Sequence, residues 1–212
     1  MRVLEMAGSD LDHFECPRCG ASDRMRHLLH YMETLGYPAR FRDARVLHFA
    51  PERQLVERIL AAAPQRYVRA DIAPSSPEIE AVDMTAMSFA EGSFDLVIAN
   101  HVLEHVGDLP AAMAELARVL APGGLAILQT PFSRRLTRRL EDPGILSDEA
   151  RLVMYGQEDH VRLFGADIAD ELAQLSGLAS RVRGHDAVLP GVDPVRHGLN
   201  RHEPFFLFEK VS

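Results

Sequence analysis

Cysteine is nearly absent: Cys16 and Cys19 are the only two in 212 residues, too few for disulfides to stand in for a hydrophobic core. Basic residues are also in short supply, with 23 Lys and Arg against 31 Asp and Glu and a net charge of -8. Affinity for nucleic acid rests on cations that displace phosphate counterions, so this balance argues against a nucleic-acid partner. No apolar run approaches the roughly 20 residues that a bilayer requires. The first stretch, Met1 to Asp12, carries acidic residues and no long apolar core, so neither export nor membrane insertion is expected and the cytoplasm is the default location. Nothing repeats. What remains is 47% apolar sequence, enough for one domain with a sizeable core and a small appendage.

The chain is organised around the stretch from Phe94 to Pro131. Leu96, Val97, Ile98 and Ala99 form an unbroken apolar run, which suits a strand buried on both faces of a parallel sheet. It ends at polar Asn100, followed by His101, Glu104 and His105. Ligands in open α/β sheets bind beyond the carboxyl ends of strands, so these residues stand where chemistry is expected. Asp108 is a good N-cap, Pro110 suits a first helical turn, and Met113, Leu116, Ala117 and Leu120 make an apolar stripe. Pro122, Gly123 and Gly124 should stop that helix before a second strand from Leu125 to Leu128. Upstream, Arg45 to Ala50 reads as a strand broken by Pro51, with a helix from Glu52 to Ala63 behind it. Tyr67 to Ala70 reads as the next strand, ending at Asp71, whose carboxylate is placed to accept both hydrogen bonds of a ribose diol.

Phe94-Asp-Leu-Val-Ile-Ala-Asn-His-Val-Leu-Glu-His-Val106, followed by Arg118-Val-Leu-Ala-Pro-Gly-Gly124, resembles the later motifs of class I S-adenosylmethionine-dependent methyltransferases. The resemblance covers about Arg45 to Val211. It implies a doubly wound, mostly parallel seven-stranded α/β sheet over residues 42–212, closed by an antiparallel hairpin from strands at Leu178 to Arg183 and Phe205 to Val211. Residues 1–41 would be an N-terminal lid with a helix from Ser22 to Leu35. The cofactor implied is S-adenosylmethionine, held by His48, Phe49, Ala50, Glu52, Asp71, Ile72, Asp83, Met84, Asn100 and His101. One departure is large. The family's first strand carries an acidic residue and opens into a glycine-rich turn, whereas here His48, Ala50 and Glu52 occupy those positions. Side chains there narrow the space for the methionine moiety, and Glu52 would repel its carboxylate unless it points elsewhere. This turn and the segment Gly156-Gln-Glu-Asp-His-Val-Arg162 resemble those of a group of methyltransferase-like proteins; here the segment reads as a loop or insertion lying over the pocket.

Methyl transfer from a sulfonium needs alignment of the acceptor and removal of its proton. His101, His160 and Asp159 are the candidate catalytic residues, with imidazole as base and Asp159 orienting His160. On a helix His101, Glu104 and His105 would share one face, and with His160 they would make four ligands for a divalent metal. Their spacing is similar to the Glu-x-x-Glu-His metal motif of methyltransferases acting on small-RNA 3′ ends and in the ubiquinone pathway, with His101 in place of the first Glu. The bland alternative is that these residues cap and line the pocket without metal. A small-molecule acceptor methylated on oxygen is the expectation. Its rivals are a non-catalytic binding module of the same fold and an RNA 2′-O-methyltransferase, the latter drawing on the basic run Arg134 to Arg139. Cys16 and Cys19 with His27 and His30 have zinc-ribbon spacing; the alternative is a reduced thiol pair in a turn beside solvated histidines. The oligomeric state has no signature in the sequence.

Overall fold

The computed structural model describes residues 6–7 and 14–211. In chain order the elements are β1 (Met6–Ala7), α1 (Asp23–Thr34), α2 (Tyr37–Phe41), β2 (Arg45–Phe49), α3 (Arg53–Ala61), β3 (Arg66–Asp71), β4 (Glu80–Ala81) and β5 (Phe94–Ala99). They continue with α4 (Leu109–Val119), β6 (Leu120–Ile127), β7 (Phe132–Ser133), α5 (Asp148–Tyr155), α6 (Ile168–Ser176), β8 (Ala179–Ser180), α7 (His185–Val188), α8 (Pro194–His197) and β9 (Leu207–Glu209).

The apolar runs build a seven-stranded sheet in the order β4-β3-β2-β5-β6-β9-β8. Strands β4, β3, β2, β5 and β6 run parallel, and β9 lies antiparallel to both β6 and β8. Period-2 alternation divides β5 between two cores: Leu96 and Ile98 face a layer with α1, α2 and α3, while Val97 and Ala99 face a layer with α4 and α6. All four are buried, which is why the run carries no polar interruption. The N-cap expected of Asp108 is present, its side chain accepting from Ala111 N. The expected helix stop is placed differently. Strand β6 begins at Leu120 directly after α4, and Pro122–Gly124 lies inside it as a bulge between the Phe94↔Leu120 and Leu96↔Leu125 pairs. Gly123, at φ +75°, takes a backbone conformation costly for other residues.

The residues expected as a lid contribute to the core of one sheet face. Ser22 caps α1 by accepting from Met25 N, and Leu28, Tyr31 and Met32 pack with Leu55, Ile59 and Phe205. The Tyr31 hydroxyl donates to the carbonyl of Glu203 at 2.9 Å. The closing hairpin is shorter than expected: Ala179–Ser180 and Leu207–Glu209 pair, and a single bridge joins Arg183 to Phe205. The residues between hold two one-turn helices, α7 and α8.

The zinc-ribbon spacing assembles no four-ligand site. Cys16 and Cys19 are free thiols flanking a turn closed by Gly20 N donating to Cys16 O at 2.8 Å. His27 is buried in α1 rather than solvated. His185 Nε2–H donates to the carbonyl of Val192 at 3.0 Å, so its Nδ1 accepts from His27 Nε2–H at 2.9 Å. Burial, followed by the neighbouring His185 and His30, lowers the pKa of His27 to about 3.

A lowered value means that the unfolded chain takes up the proton first as pH falls. The stability is therefore complete above the unfolded value near 6.5 and declines towards pH 3, by at most about 1.4 kcal/mol per pH unit from this group. His27→Gln keeps a donor for His185 and cannot titrate. Urea midpoints measured from pH 7 to 4 should fall less steeply for the variant, and parallel profiles would contradict this account.

Candidate functional site

The parallel strands deliver their last residues to one edge of the sheet. At the end of β2, Ala50 continues at φ +46° with its N–H bonded to Ala70 O at 2.9 Å. A non-glycine residue held left-handed is a strained feature of the kind that collects at sites. At the end of β3, Asp71 accepts from Ala73 N at 2.9 Å through Oδ1. Beyond β4, Asp83 Oδ1 accepts from the backbone N–H and hydroxyl of Thr85 at 2.8 and 2.7 Å, closing a turn rather than capping a helix; these hydrogen bonds hold its carboxyl below the ordinary value. At the end of β5, His101 adopts φ +53° and its N–H bonds Gln129 O at 2.6 Å.

Two connected spaces open over this edge. The larger, a cavity of about 680 Å³, is lined by Phe49, Ala50, Asp71, Ile72, Asp83, Met84 and His101, all expected cofactor contacts, together with His105, Asp108 and Asp159. Four carboxylates and no lysine or arginine line it, so it favours ligands that bring donors or positive charge. The smaller, of about 360 Å³, includes Glu52 and Asn100 with Arg24, Gln129 and Glu203. Ala50 and His101 belong to both walls.

His48 lines neither space. It is fully buried, with Nε2 donating to Glu52 Oε2 at 2.8 Å and Nδ1 accepting from the Tyr67 hydroxyl at 2.8 Å. Asn100 Nδ2 donates to the other carboxylate oxygen, Glu52 Oε1, at 3.2 Å. The side chain that replaces a bare turn is thus held by two neighbours instead of swinging free in the cleft. Burial also pushes the Tyr67 phenol well above its ordinary value, so it keeps its proton.

His101, Glu104 and His105 lie in turns between β5 and α4 rather than on a helix; His101 Nδ1 stays 3.5 Å from Glu104 Oε1, but His101 does not join the cluster that Glu104 and His105 form. His101 Nδ1 receives Arg24 Nη1 at 2.8 Å, which puts the ring proton on Nε2. Glu104, His105 and His160 each offer one ligand atom, all within 4.8 Å of one another; no other such trio occurs among the described residues. Asp159 sets the orientation of His105, not of His160: the His105 Nδ1–H faces Asp159 O at 3.2 Å and Oδ2 at 3.3 Å. His160 is buried and donates from Nδ1 to Tyr155 O at 3.2 Å; burial lowers its pKa. Both rings then keep Nε2 as a lone pair, and Glu104 Oε2 is buried without a hydrogen-bond partner.

One cation fixes this loop. Arg162, 1% exposed, donates to Leu103 O at 2.6 Å, to Val106 O, and to Gly107 O at 3.1 Å, while pairing with both oxygens of Glu141 at 3.1 and 2.9 Å. The backbone of the next residue back, Val161, bonds Glu104 O at 3.0 Å. The basic run read from the sequence is partly absorbed here, since Arg139 pairs with Glu141 and Glu171 at 2.9 and 2.7 Å.

Arg24, Gln129 and Glu203 escaped the sequence reading. Gln129 had a signal, being a polar residue directly after a buried strand, like Asn100. Arg24 sits in the first turn of an ordinary amphipathic helix and Glu203 in a polar loop, so only the tertiary fold brings them here.

A family model described as a methyltransferase domain matches residues 20–182. A malonyl-[acyl-carrier protein] O-methyltransferase from Halorhodospira halophila is 32% identical over 142 residues, 65% of this chain and 44% of that protein. An uncharacterised methyltransferase from Mycobacterium sp. is 36% identical over 86 residues, 41% of this chain and 26% of that protein. The chain thus spans less than half the length of these curated relatives. Among solved structures, the 1,6-didemethyltoxoflavin-N1-methyltransferase of Burkholderia thailandensis, with bound S-adenosylhomocysteine, superposes at TM-score 0.56 and 15% identity, covering 90% of this chain and 80% of that one. An S-adenosylmethionine-dependent methyltransferase from Mesorhizobium loti gives TM-score 0.55 at 15% identity, covering 85% and 96%. At these identities the structures establish a shared fold.

Arg162→Leu should leave three carbonyls unpaired and cost about 3 kcal/mol, the scale for removing one partner of a buried charged network. Urea denaturation would measure the loss. Faster amide exchange at Val161 should accompany it, and an unchanged midpoint would refute the role given to this side chain.

Proposed function

The chain belongs to the methyltransferase-domain family, and on that premise we propose that it moves the methyl group of S-adenosylmethionine to a small-molecule acceptor, on oxygen. The observation that carries this reading is Asp71 at the carboxyl end of β3, in the wall of a cavity that also holds Asp83 and Met84. A carboxylate there suits a ribose diol, and a lining with four carboxylates and no lysine or arginine suits a sulfonium cation. The binding-module alternative rested on Glu52 obstructing the cofactor; its attachment to His48 and Asn100 supports a usable cleft. Oxygen as the methylated atom agrees with the name of the Halorhodospira relative. His101, shared by the two spaces, stands where donor and acceptor would meet.

The proposed metal set is narrower than the sequence spacing implied. Glu104, His105 and His160 fit a divalent cation through one carboxylate oxygen and two Nε2 lone pairs, each histidine being held from behind by an oxygen acceptor. His101 is turned to Arg24 instead. When bound, the cation would lower the pKa of an acceptor hydroxyl. Asp159, exposed beside His105, keeps that ring in its ligating orientation.

Two measurements test the reading. Calorimetry with S-adenosylmethionine should give micromolar binding that Asp71→Ala weakens by about 10-fold or more, the value of a lost hydrogen bond to a charged group; absence of heat with the unaltered protein would end the enzyme reading. Elemental analysis after dialysis against Mn²⁺, Zn²⁺ or Mg²⁺ should find a cation at near one per chain, lost in His160→Ala while cofactor affinity persists. Metal retained by that variant would reject the trio.

A further inference from the structure

The pair Cys16 and Cys19, the only cysteines of the chain, takes no part in either cavity. It stands at the tip of a hairpin in which Glu15 bridges Ser22, Cys16 N donates to Ala21 O at 2.9 Å, and Gly20 at φ +68° turns the chain back. Inside that tip the backbone N–H groups of Arg18 and Cys19, and then the Cys19 thiol, donate to the Cys16 sulfur and hold its pKa below the ordinary value. The two sulfurs are thus neighbours, and one of them is prepared as a thiolate, the form that binds metal. Cys19 is exposed and Cys16 half-buried, and the turn is anchored to α3, where Arg53 Nη2 and Gln54 Nε2 donate to Cys19 O at 3.2 and 3.4 Å. Two thiolates at this spacing make half of a tetrahedral sulfur site. The histidines nearest in sequence do not supply the rest, since His27 is bonded to His185 and His30 packs edge-on against His197. Among the described residues, neither cysteine joins a trio of ligand atoms.

We propose that this cysteine turn is one half of a tetrathiolate Zn²⁺ site, completed by the same two cysteines of a second copy of this chain. A two-fold contact sets one patch against itself, so two facing turns bring four sulfurs together, and four thiolates around zinc form a closed structural site. Charge makes the metal necessary. The chain has a net charge of -8, but the turn is locally basic: Arg18 lies between the two ligands, Arg26 acts on Cys16 and Arg53 holds Cys19 O. Without metal, two such surfaces repel each other. Zinc with four thiolates is a dianion, which the cations of both turns offset. A disulfide between Cys16 and Cys19 would consume the same sulfurs, yet it requires an oxidant and makes no use of N–H donors that stabilise negative sulfur. Gly20, at the foot of the turn, also lines the smaller chamber, so the junction adjoins that chamber in each copy. The contact stands independently of what either cavity binds.

The test is analytical ultracentrifugation of the reduced protein with Zn²⁺ and with a chelator. Zinc should double the mass, and the chelator should return it to that of a single chain. Stoichiometry is measured in a His160→Ala background, so that Glu104 and His105 do not add metal of their own, and should approach one Zn²⁺ per two chains. Co²⁺ in place of zinc should give the intense thiolate-to-metal charge-transfer absorption that carboxylate and imidazole ligands cannot give. Cys19→Ser should lose the zinc-dependent dimer and the Co²⁺ absorption together, and a urea midpoint in chelator equal to that of the unaltered protein reports an intact fold. Should that variant not fold, alkylation of the native protein with iodoacetamide should abolish the same two signals. A zinc-induced dimer that survives Cys19→Ser overturns the proposal, as does a dimer that persists in the chelator. A protein that stays a single chain at saturating zinc, whether it binds none or one Zn²⁺ through its thiols, overturns it too.

Discussion

A guanidinium that no water reaches holds the functional edge together. Arg162 belongs to the segment after α5, yet its N–H groups end on carbonyls of the β5–α4 connection, and its charge is balanced by Glu141. Five N–H donors in a rigid planar fork can satisfy several carbonyls and a carboxylate together, which a lysine cannot. The connection thereby adopts turns where its sequence would allow a helix. Glu104 and His105 then face His160, while His101, in a left-handed backbone, faces Arg24.

This explains where the sequence could be read and where it could not. The β5 run, the N-cap at Asp108 and the place of Asp71 follow from local pattern and from the rule that parallel strands leave their ligands at one edge, and the seven-stranded sheet from the family resemblance. The spacing of His101, Glu104 and His105 misled because it invokes helical periodicity, and periodicity says nothing about a distant cation competing for the same carbonyls. His27 misled similarly. Its spacing from the cysteines is local, but its partner, His185, is 158 residues away. Glu203 and Arg24 carry no pattern at all, since their meaning arises when a helix from one end of the chain and a loop from the other meet over β5 and β6.

The altered turn after β2 illustrates compensation across neighbouring strands. A glycine-rich turn keeps a cleft open by having nothing in it. Here Ala50 takes the left-handed conformation that glycine would adopt cheaply, and Glu52 is tied through His48 to Tyr67 on β3 and through Asn100 to the end of β5. The cleft is kept open by tethering, and its shape depends on three strands instead of one loop.

The first helix also depends on the far end of the chain. Tyr31 stacks on Phe205 and bonds the Glu203 carbonyl, and His27 meets His185. During synthesis from the amino terminus, α1 leaves the ribosome long before these partners exist. Its apolar stripe must wait through most of translation, exposed or loosely covered, and the smaller chamber closes last. The wall of that chamber is consequently complete only once the loop carrying Glu203, 172 residues beyond Tyr31, has been made.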